Sequence, residues 1–173
     1  MIKMINNING IGKEYDYKNR LIFEGEYLNG HQLKGKFYVN EKLEYEGEYL
    51  YYKKWNGKGY DKNNKILYEI KNGTGKIKEY QINGLLIFEG EYLNGKRNGN
   101  GKEYSNYGGY LKFEGEYLNG KRNGNGKEYD SYGKLIFEGE YLNGKRNGNG
   151  KEYDSDGKLI FEGEYLNDAK VLK

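Results

Sequence analysis

The chain of 173 residues has no cysteine, no proline and a single histidine. Without cysteine it can form neither a disulfide framework nor a thiolate metal site, which is compatible with a reducing compartment. The N-terminal stretch has no sustained apolar run, so we expect no signal peptide. No stretch approaches the ~20 apolar residues needed to cross a bilayer. We therefore expect a soluble, cytoplasmic protein, with peripheral membrane or cytoskeletal association left open.

The residues that are abundant are glycine and tyrosine, with 28 and 21 copies. Apolar residues make up only 35% of the chain and charged residues 32%, a balance that is typical of disorder. The many rings argue against disorder, because each aromatic side chain buries a large area. A thin, repetitive structure fits this composition better than a globule with a deep core. The net charge of +3 is too small to indicate a nucleic-acid partner.

One segment, FEGEYLNGKRNGNGKEY, occurs at 88–104, 113–129 and 137–153 without a substitution. A worn copy, Leu67–Ile70, lies in the longest gap of the wider series. We therefore predict a single domain over 1–173 with about seven units, including partial terminal units and a degenerate unit near 66–80. The aligned units begin, at spacings of 22, 43, 25, 24 and 24 residues, at Phe23, Tyr45, Phe88, Phe113, Phe137 and Phe161.

Each unit predicts a β-hairpin. Aromatic and glycine residues alternate with glutamates along LIFEGEYL, which is the period of two expected for a strand. The segment NGKRNG predicts the turn, and NGKEYD predicts the return strand. A turn centred between Lys121 and Arg122 would place Tyr117 opposite Gly126 and Glu116 opposite Lys127. In that register a ring covers a glycine, and opposite charges pair across the strands.

The pattern Tyr/Phe-Glu-Gly-Glu-Tyr-x-Asn-Gly-Lys-x-x-Gly-x-Gly, at a period of 22–25 residues, closely resembles the MORN repeat (membrane occupation and recognition nexus) over nearly the whole chain. The resemblance implies an all-β fold: a single elongated, twisted, solenoid-like antiparallel sheet of consecutive hairpins with a groove along one face. It also implies a scaffold, tether or dimerisation module, whereas lipid binding is disputed in the family. Two departures are tyrosine where many units have tryptophan, and the worn unit, which could interrupt or bend the sheet.

Catalysis is poorly supported by the sequence. The only histidine, His31, lies in a predicted turn, and without a second histidine or a cysteine most metal and nucleophile sites are excluded. Paired carboxylates such as Glu114 and Glu116 resemble a hydrolase pair, but their recurrence in every unit indicates a structural role. We therefore expect a protein that is not an enzyme and that uses no cofactor or metal.

Three sets of residues are candidates for partner contact. A row of basic turns could bind acidic phospholipids or an acidic protein, or could simply keep the sheet soluble. Its members are Lys96, Arg97, Lys121, Arg122, Lys145 and Arg146. Two altered turns combine aromatic and basic residues, as interaction hot spots do, although they could also be drifted copies. They comprise His31, Gln32, Leu33, Tyr51, Tyr52, Lys53, Lys54 and Trp55.

The third set consists of the ring residues of the groove face, which could contact a partner or only cover the glycines. They are Phe23, Tyr27, Tyr49, Phe88, Tyr92, Phe113, Tyr117, Phe137, Tyr141, Phe161 and Tyr165. Both terminal units lack one strand, so open sheet edges predict self-association as a two-fold dimer or head to tail. We expect a non-enzymatic protein-binding scaffold, with peripheral binding to acidic phospholipid as the alternative and no nucleic-acid partner.

Overall fold

The computed structural model describes residues 3–5 and 9–172. Every regular element in these residues is a β-strand, and none of them forms a helix. Successive strands are the two arms of the sequence unit, so the predicted all-β hairpin fold is confirmed. The strands are β1 Lys3–Ile5, β2 Gly10–Tyr15, β3 Leu21–Leu28, β4 His31–Val39, β5 Lys42–Leu50, β6 Lys53–Tyr60, β7 Ile66–Ile70, β8 Gly75–Tyr80, β9 Leu86–Leu93, β10 Lys96–Tyr104, β11 Leu111–Leu118, β12 Lys121–Tyr129, β13 Leu135–Leu142, β14 Lys145–Tyr153, β15 Leu159–Leu166 and β16 Ala169–Lys170.

The strands form two antiparallel sheets rather than the single sheet expected from the sequence. Strands β1 to β7 make one sheet and β8 to β16 the other, and strands adjacent in the chain are neighbours in each sheet. Between β7 and β8 the described residues form only an isolated bridge, from Lys71 to Thr74. The interruption therefore falls inside the degenerate unit, where the sequence had left an interruption or a bend open.

The break has a physical cause in two isoleucines. In an intact unit Gly139 lies opposite Gly150, and a Cβ added to Gly139 would lie 2.5 Å from the carbonyl oxygen of Asn149. Ile70 and Ile77 stand at the positions of these two glycines in the degenerate unit, and both side chains are buried. Two branched side chains cannot replace two hydrogens at that separation, so β7 and β8 do not pair as the other hairpins do.

The chain divides into two compact units. The first comprises Met1–Leu86 with Tyr92–Gly95, and the second comprises Ile87–Glu91 with Lys96–Lys173. The first unit has a core cluster in which Phe23, Tyr45 and Ile77 are buried. The second unit has its own buried rings, among them Phe113 and Phe137. The expectation of one domain stays a prediction.

The hairpin turns are two residues long and lie earlier than predicted. Asn119 and Gly120 have φ values of 52° and 89°, so both occupy the left-handed region that a type I′ turn requires. Such a turn matches the twist of its strands, which is why Asn-Gly recurs in the sequence. Lys121 and Arg122 consequently begin β12 instead of forming the turn.

The register predicted from a turn centred at Lys121 and Arg122 is wrong for the same reason. Tyr117 lies opposite Arg122, and an irregularity between Gly115 and Tyr117 shifts the pairing before Gly115 meets Gly126. The residue opposite Lys127 is Glu114 and not Glu116. A cross-strand charge pair and a ring over a glycine both occur. The pair is Glu114 with Lys127, and the ring over Gly126 is that of Phe113.

The covering ring is the phenylalanine that begins each unit. The side chain of Phe137 is fully buried, and Cβ atoms added to Gly139 and Gly150 would lie 2.9 and 2.6 Å from its Cζ. Tyr141 and Tyr165 meet Phe137 edge to face, at centroid distances of 5.6 and 5.2 Å. Rings and bare backbone therefore form a continuous thin core, in which edge-to-face contacts each contribute about 0.5–1.5 kcal/mol beyond area burial.

In the three identical units an arginine lies over the phenylalanine ring. The guanidinium of Arg122 lies 4.2 Å from the centroid of Phe113, and it pairs with Glu103 at 3.1 Å and Glu128 at 2.6 Å. Burial raises the pKa of the Glu103 carboxyl, but the charge and hydrogen bond of Arg122, together with the charges of Lys112 and Arg97, outweigh this, so the pKa lies below its ordinary value. The cation thus joins glutamates of two neighbouring units over an aromatic face.

We predict that truncation of Phe137 costs far more stability than truncation of Phe161. Phe137 is fully buried between two strands, whereas Phe161 is only half-buried on β15. Phe137→Ala should lower the free energy of unfolding by about 3–5 kcal/mol, as for a buried ring. Phe161→Ala, at the same position of its unit, should cost distinctly less. Urea unfolding measures both, and equal losses would contradict the account of the core.

We also predict that stability falls as pH drops below about 4.5, the ordinary value for glutamate. The pKa of Glu103 is depressed in the folded chain, so the unfolded chain binds its proton more tightly. The stabilisation is present at neutral pH and is lost as pH falls through the folded pKa. Urea midpoints across this range measure the effect. Glu103→Gln should be less stable at neutral pH and show a shallower acid decline, and an unchanged slope would contradict the assignment.

Candidate partner-binding site

The groove rings are core residues in this structure. Phe23, Phe88, Phe113 and Phe137 are fully buried, and the tyrosines between them are almost as inaccessible. Only Tyr92 and Phe161 of the set keep intermediate exposure. Of the two roles that the sequence left open for these rings, the geometry supports cover for the glycines. A partner would find little of this set at the surface.

The predicted basic row is divided by the structure. Lys96, Lys121 and Lys145 are exposed at the first position of their strands. The arginines that follow them turn inward instead, because each guanidinium lies over a phenylalanine, as Arg97 does over Phe88 at 4.0 Å. Arg146 similarly pairs with Glu128 of the preceding unit. Of the predicted row, the three lysines are exposed and the three arginines only partly so, and its role in binding stays a prediction.

The altered turn at Tyr51 and Tyr52 has the same backbone as the Asn-Gly turns. Its φ values are 49° and 65°, so two bulky residues occupy the left-handed region. The first position of each other described turn of this type is asparagine, and the members are Asn29, Asn40, Asn72, Asn94, Asn119, Asn143 and Asn167. Both tyrosines are exposed, at 74% and 56%.

His31, which the sequence placed in an altered turn and which begins β4 after an ordinary Asn-Gly turn, packs against these tyrosines. The imidazole of His31 meets Tyr52 edge to face at 4.7 Å and Tyr51 at 6.3 Å, and the Tyr52 hydroxyl donates to the Gly30 carbonyl at 3.4 Å. The Nδ1 atom of His31 is buried, with no hydrogen-bond partner in the described part of the chain. Leu33, two residues after His31 on β4, is 42% exposed. We call Tyr51, Tyr52, His31, Leu33 and the exposed Lys53 the tyrosine patch.

The remaining residues predicted as altered turns, Gln32, Lys54 and Trp55, do not join the patch. Lys54 is largely buried and pairs with Glu44 at 2.5 Å and with the Tyr68 hydroxyl at 2.7 Å, so its expected exposure is wrong. Burial lowers the pKa of Lys54, against the opposing effect of Glu44. The amide of Gln32 donates to Glu14 at 3.1 Å.

Trp55, on β6, is half-buried beside two later turns of the chain. Its carbonyl accepts the N–H of Gly73 at 2.8 Å, and a Cβ added to Gly73 would lie 2.7 Å from the indole Cζ3. The indole also lies near Gly95, at 3.7 Å from an added Cβ. The sequence had made Trp55 a partner contact, whereas the structure shows it holding two turns together.

The second of the two compact parts of the chain, which includes Lys96–Lys173, has a shallow cavity that the sequence did not predict. Its volume is about 590 Å³, and it lies where the connection after β10 departs from the Asp-based turn of other units. Ser105 replaces that aspartate, and its hydroxyl accepts the N–H of Tyr107 at 3.1 Å. The sequence feature that marks this connection is the spacing of 25 residues from Phe88 to Phe113, which is one residue longer than the spacing between later units. The lining includes Tyr104, Tyr107, Tyr110, Tyr129, Arg97 and Lys112.

The two carboxylates that the sequence singled out, Glu114 and Glu116, both have partners within the sheet. Glu114 accepts a hydrogen bond from the hydroxyl of Tyr129 at 2.7 Å and pairs with Lys102 at 3.5 Å. Glu116 accepts the backbone N–H of Asn125 at 3.0 Å. No group of three or more metal-ligating side chains occurs in residues 3–5 and 9–172. The same described residues contain no helix long and apolar enough to cross a membrane.

Comparison with known proteins agrees with the repeat geometry. The family model described as MORN repeat matches residues 88–109, 113–134 and 137–158. No curated protein matches the chain. Each matched segment comprises a phenylalanine strand, an Asn-Gly turn and a return strand whose glycine lies beneath the ring. Proteins of this family are generally binding or scaffold modules. Three consecutive units of this sequence, within residues 88–158, are MORN repeats.

Proposed function

We propose that the chain is a non-enzymatic scaffold that binds a protein partner through the tyrosine patch. The observation that carries the proposal is the turn at Tyr51 and Tyr52, which holds two exposed tyrosines in left-handed backbone. For residues other than glycine this region costs roughly 1–2 kcal/mol each. Asparagine tolerates it far better, and the same chain uses asparagine at the other turns of this type.

A strained backbone at an exposed position is typical of binding sites. The edge-to-face contact of Tyr52 with His31 returns only part of the cost, about 0.5–1.5 kcal/mol. Exposed tyrosine side chains gain little more from the fold itself, since much of their surface stays in water. A partner that buries the rings would supply the missing stabilisation, and tyrosine is enriched at the energetic centre of protein interfaces.

The chemistry of the patch indicates the kind of surface that fits it. Its polar groups are two tyrosine hydroxyls, the imidazole of His31 and the ammonium of Lys53, and its members include no carboxylate. Leu33 adds exposed apolar surface. A complementary partner would place an apolar side chain among the rings and hydrogen-bond acceptors or carboxylates at the rim.

Restoring the common turn should stabilise the free protein. We expect the double variant Tyr51→Asn/Tyr52→Gly to raise the free energy of unfolding by about 1–2 kcal/mol, because relief of two left-handed residues exceeds the lost ring contact. The matched control is the reverse exchange, Asn119→Tyr/Gly120→Tyr, which should lower stability by a similar amount. Chemical unfolding measures both, and a destabilised first variant would show that the tyrosines serve the fold.

The same double variant should lose the protein partner. In affinity capture from cells of the source organism, we expect specific proteins retained by the wild-type chain to be absent from Tyr51→Asn/Tyr52→Gly. Tyr132→Ala is the matched control, because Tyr132 is 87% exposed and lies outside the patch. A captured protein must then bind the purified chain with at least a tenfold difference between the two variants, about 1.4 kcal/mol. Equal binding would contradict the proposal.

Peripheral binding to acidic phospholipid is the alternative, supported by the exposed lysines Lys96, Lys121 and Lys145. Each would contribute about 1 kcal/mol near a charged surface, and the inward arginines add little. We therefore expect no co-sedimentation with phosphatidylserine vesicles at physiological salt. Salt-sensitive binding that Lys96→Glu/Lys121→Glu/Lys145→Glu abolishes would instead establish the lipid function. Tyr132→Ala again serves as the control with unchanged charge.

A further inference from the structure

The connection 105–110 between β10 and β11 departs from the connections of the later units. In those units an aspartate opens the connection and a lysine closes it, since the N–H of Asp130 donates to the Lys134 carbonyl at 2.9 Å. In 105–110 the same bond, also 2.9 Å long, runs from Ser105 to Tyr110. Ser105 therefore takes the place of an aspartate and Tyr110 the place of a lysine, and one residue is added between them.

A further departure lies on β11, where Lys112 precedes the phenylalanine of the unit. In β9 and β13 the residue at this position is isoleucine. The side chain of Lys112 is 55% exposed, and its ammonium lies 3.5 Å from a carboxylate oxygen of Glu103. That carboxylate already pairs with Arg122 at 3.1 Å. Lys112 therefore adds a second cation to a glutamate that is paired without it.

These departures all line the shallow cavity of the second compact unit. Ser105, Tyr110 and Lys112 belong to its lining, together with Tyr129 and Ser131 of the next hairpin. Its volume of about 590 Å³ lies in the range of small-molecule sites. The residues in which this unit differs from its copies are thus concentrated at a place with room for a small molecule.

The cavity lining carries more positive than negative charge. Among the described residues it contains two cations, Arg97 and Lys112, and one carboxylate, that of Glu103. Burial raises the pKa of Glu103, but the charge and hydrogen bond of Arg122 and the charges of the two lining cations lower it overall. Even with Glu103 ionised, the lining has a net positive charge, which favours an anion.

Tyrosine rings form another part of the lining. Tyr104 and Tyr129 are fixed to the sheet, because their hydroxyls donate to glutamates at 2.6 and 2.7 Å. Tyr107 is 85% exposed, and Tyr110 is partly exposed. Tyrosine rings are surfaces on which a planar group stacks, as bases do in single-strand binding proteins. A ligand with a planar ring and an anionic group matches both parts of the lining.

The fold itself does not require the departures. Strands β12 and β13 form with aspartate, lysine and isoleucine at the equivalent positions. Strands β10 and β11 pair in the same register as β12 and β13, so the changed residues leave the hairpin geometry as it is. The added cation and the added ring are therefore available for recognition.

We propose that this cavity binds a small aromatic phosphate, a planar ring joined to a phosphate monoester, as in a nucleoside monophosphate or phosphotyrosine. The phosphate faces Arg97 and Lys112, and the ring lies among the tyrosines. A phosphate monoester carries about −1.5 to −2 charges near pH 7, so it suits two cations better than a single carboxylate does. The proposal goes beyond partner binding by the tyrosine patch, which belongs to the other compact unit.

Titration calorimetry with the purified chain tests the chemistry of the ligand. The probes are AMP and phosphotyrosine, and the controls are their separate parts: adenosine, tyrosine amide and inorganic phosphate. We expect AMP or phosphotyrosine to bind at least tenfold more tightly than either of its parts, and the tighter of the two probes identifies the source of the aromatic phosphate. A part that binds as tightly as the whole probe, or no binding of either probe, would overturn the proposal.

Lys112→Ile tests the phosphate contact. Isoleucine is the residue of β9 and β13 at this position, so the variant should keep the fold, which urea unfolding establishes. We expect its affinity for the tighter probe to fall at least tenfold, whereas Lys112→Arg should retain that affinity. The matched control is Lys158→Ala, which removes an exposed lysine of a later connection and should bind as wild type does. Undiminished affinity of Lys112→Ile, or an equal loss in Lys158→Ala, would contradict the proposal.

Tyr110→Lys tests the ring contact, because it restores the residue of the later connections. We expect this variant to lose at least several-fold of the preference for the aromatic probe over inorganic phosphate, since the added charge still attracts phosphate but the ring is gone. Tyr51→Asn/Tyr52→Gly should bind the probe as wild type does, so failure of the tyrosine-patch proposal and failure of this one are distinguishable. A preference that Tyr110→Lys leaves intact would overturn the proposal.

Discussion

The close approach of two bare glycine backbones beneath one phenylalanine ring is the constraint on which this structure depends. Gly139 and Gly150 have no side chains, so the ring of Phe137 lies directly on the backbone and is fully excluded from water. A chain with only 35% apolar residues can thereby form a buried core without a second layer of structure. The exact repetition of the unit follows, because the ring, both glycines and the turn that aligns them must all be kept together.

The same constraint explains features that look unrelated in the sequence. Where Ile70 and Ile77 replace the glycine pair, the two strands separate and the sheet is interrupted. The upper face of each ring needs cover too, and the arginine of the Lys-Arg pair provides it while joining glutamates of neighbouring units, as Arg122 does. Charged side chains that the sequence pattern places at the surface, such as that of Arg122, are therefore partly buried. Their burial is tolerated because each guanidinium is paired with carboxylates.

The strands, their alternation and the cover of a strand glycine by an aromatic ring could be predicted from the sequence, although the ring over Gly126 is that of Phe113 and not of Tyr117. The register could not be obtained from a turn placed at Lys121, because the Asn-Gly step before it is by itself a complete two-residue turn. Arg97 and Lys54 were assigned to the surface, since sequence alone does not show that a long cationic side chain can fold back over a ring. The tyrosine patch was predicted in part: Tyr51 and Tyr52 are exposed, whereas Trp55 holds neighbouring turns.

Identical units also show which residues are not required by the fold. The turn backbone of Tyr51 and Tyr52 is reproduced elsewhere by asparagine with glycine, so the fold alone does not require rings there. The identical phenylalanine differs in burial between units, since Phe161 is half-buried and Phe137 is fully buried. In a protein built from copies, each copy is an internal reference for the others. Surface available for recognition lies where a unit departs from that reference, in its residues or in its neighbours.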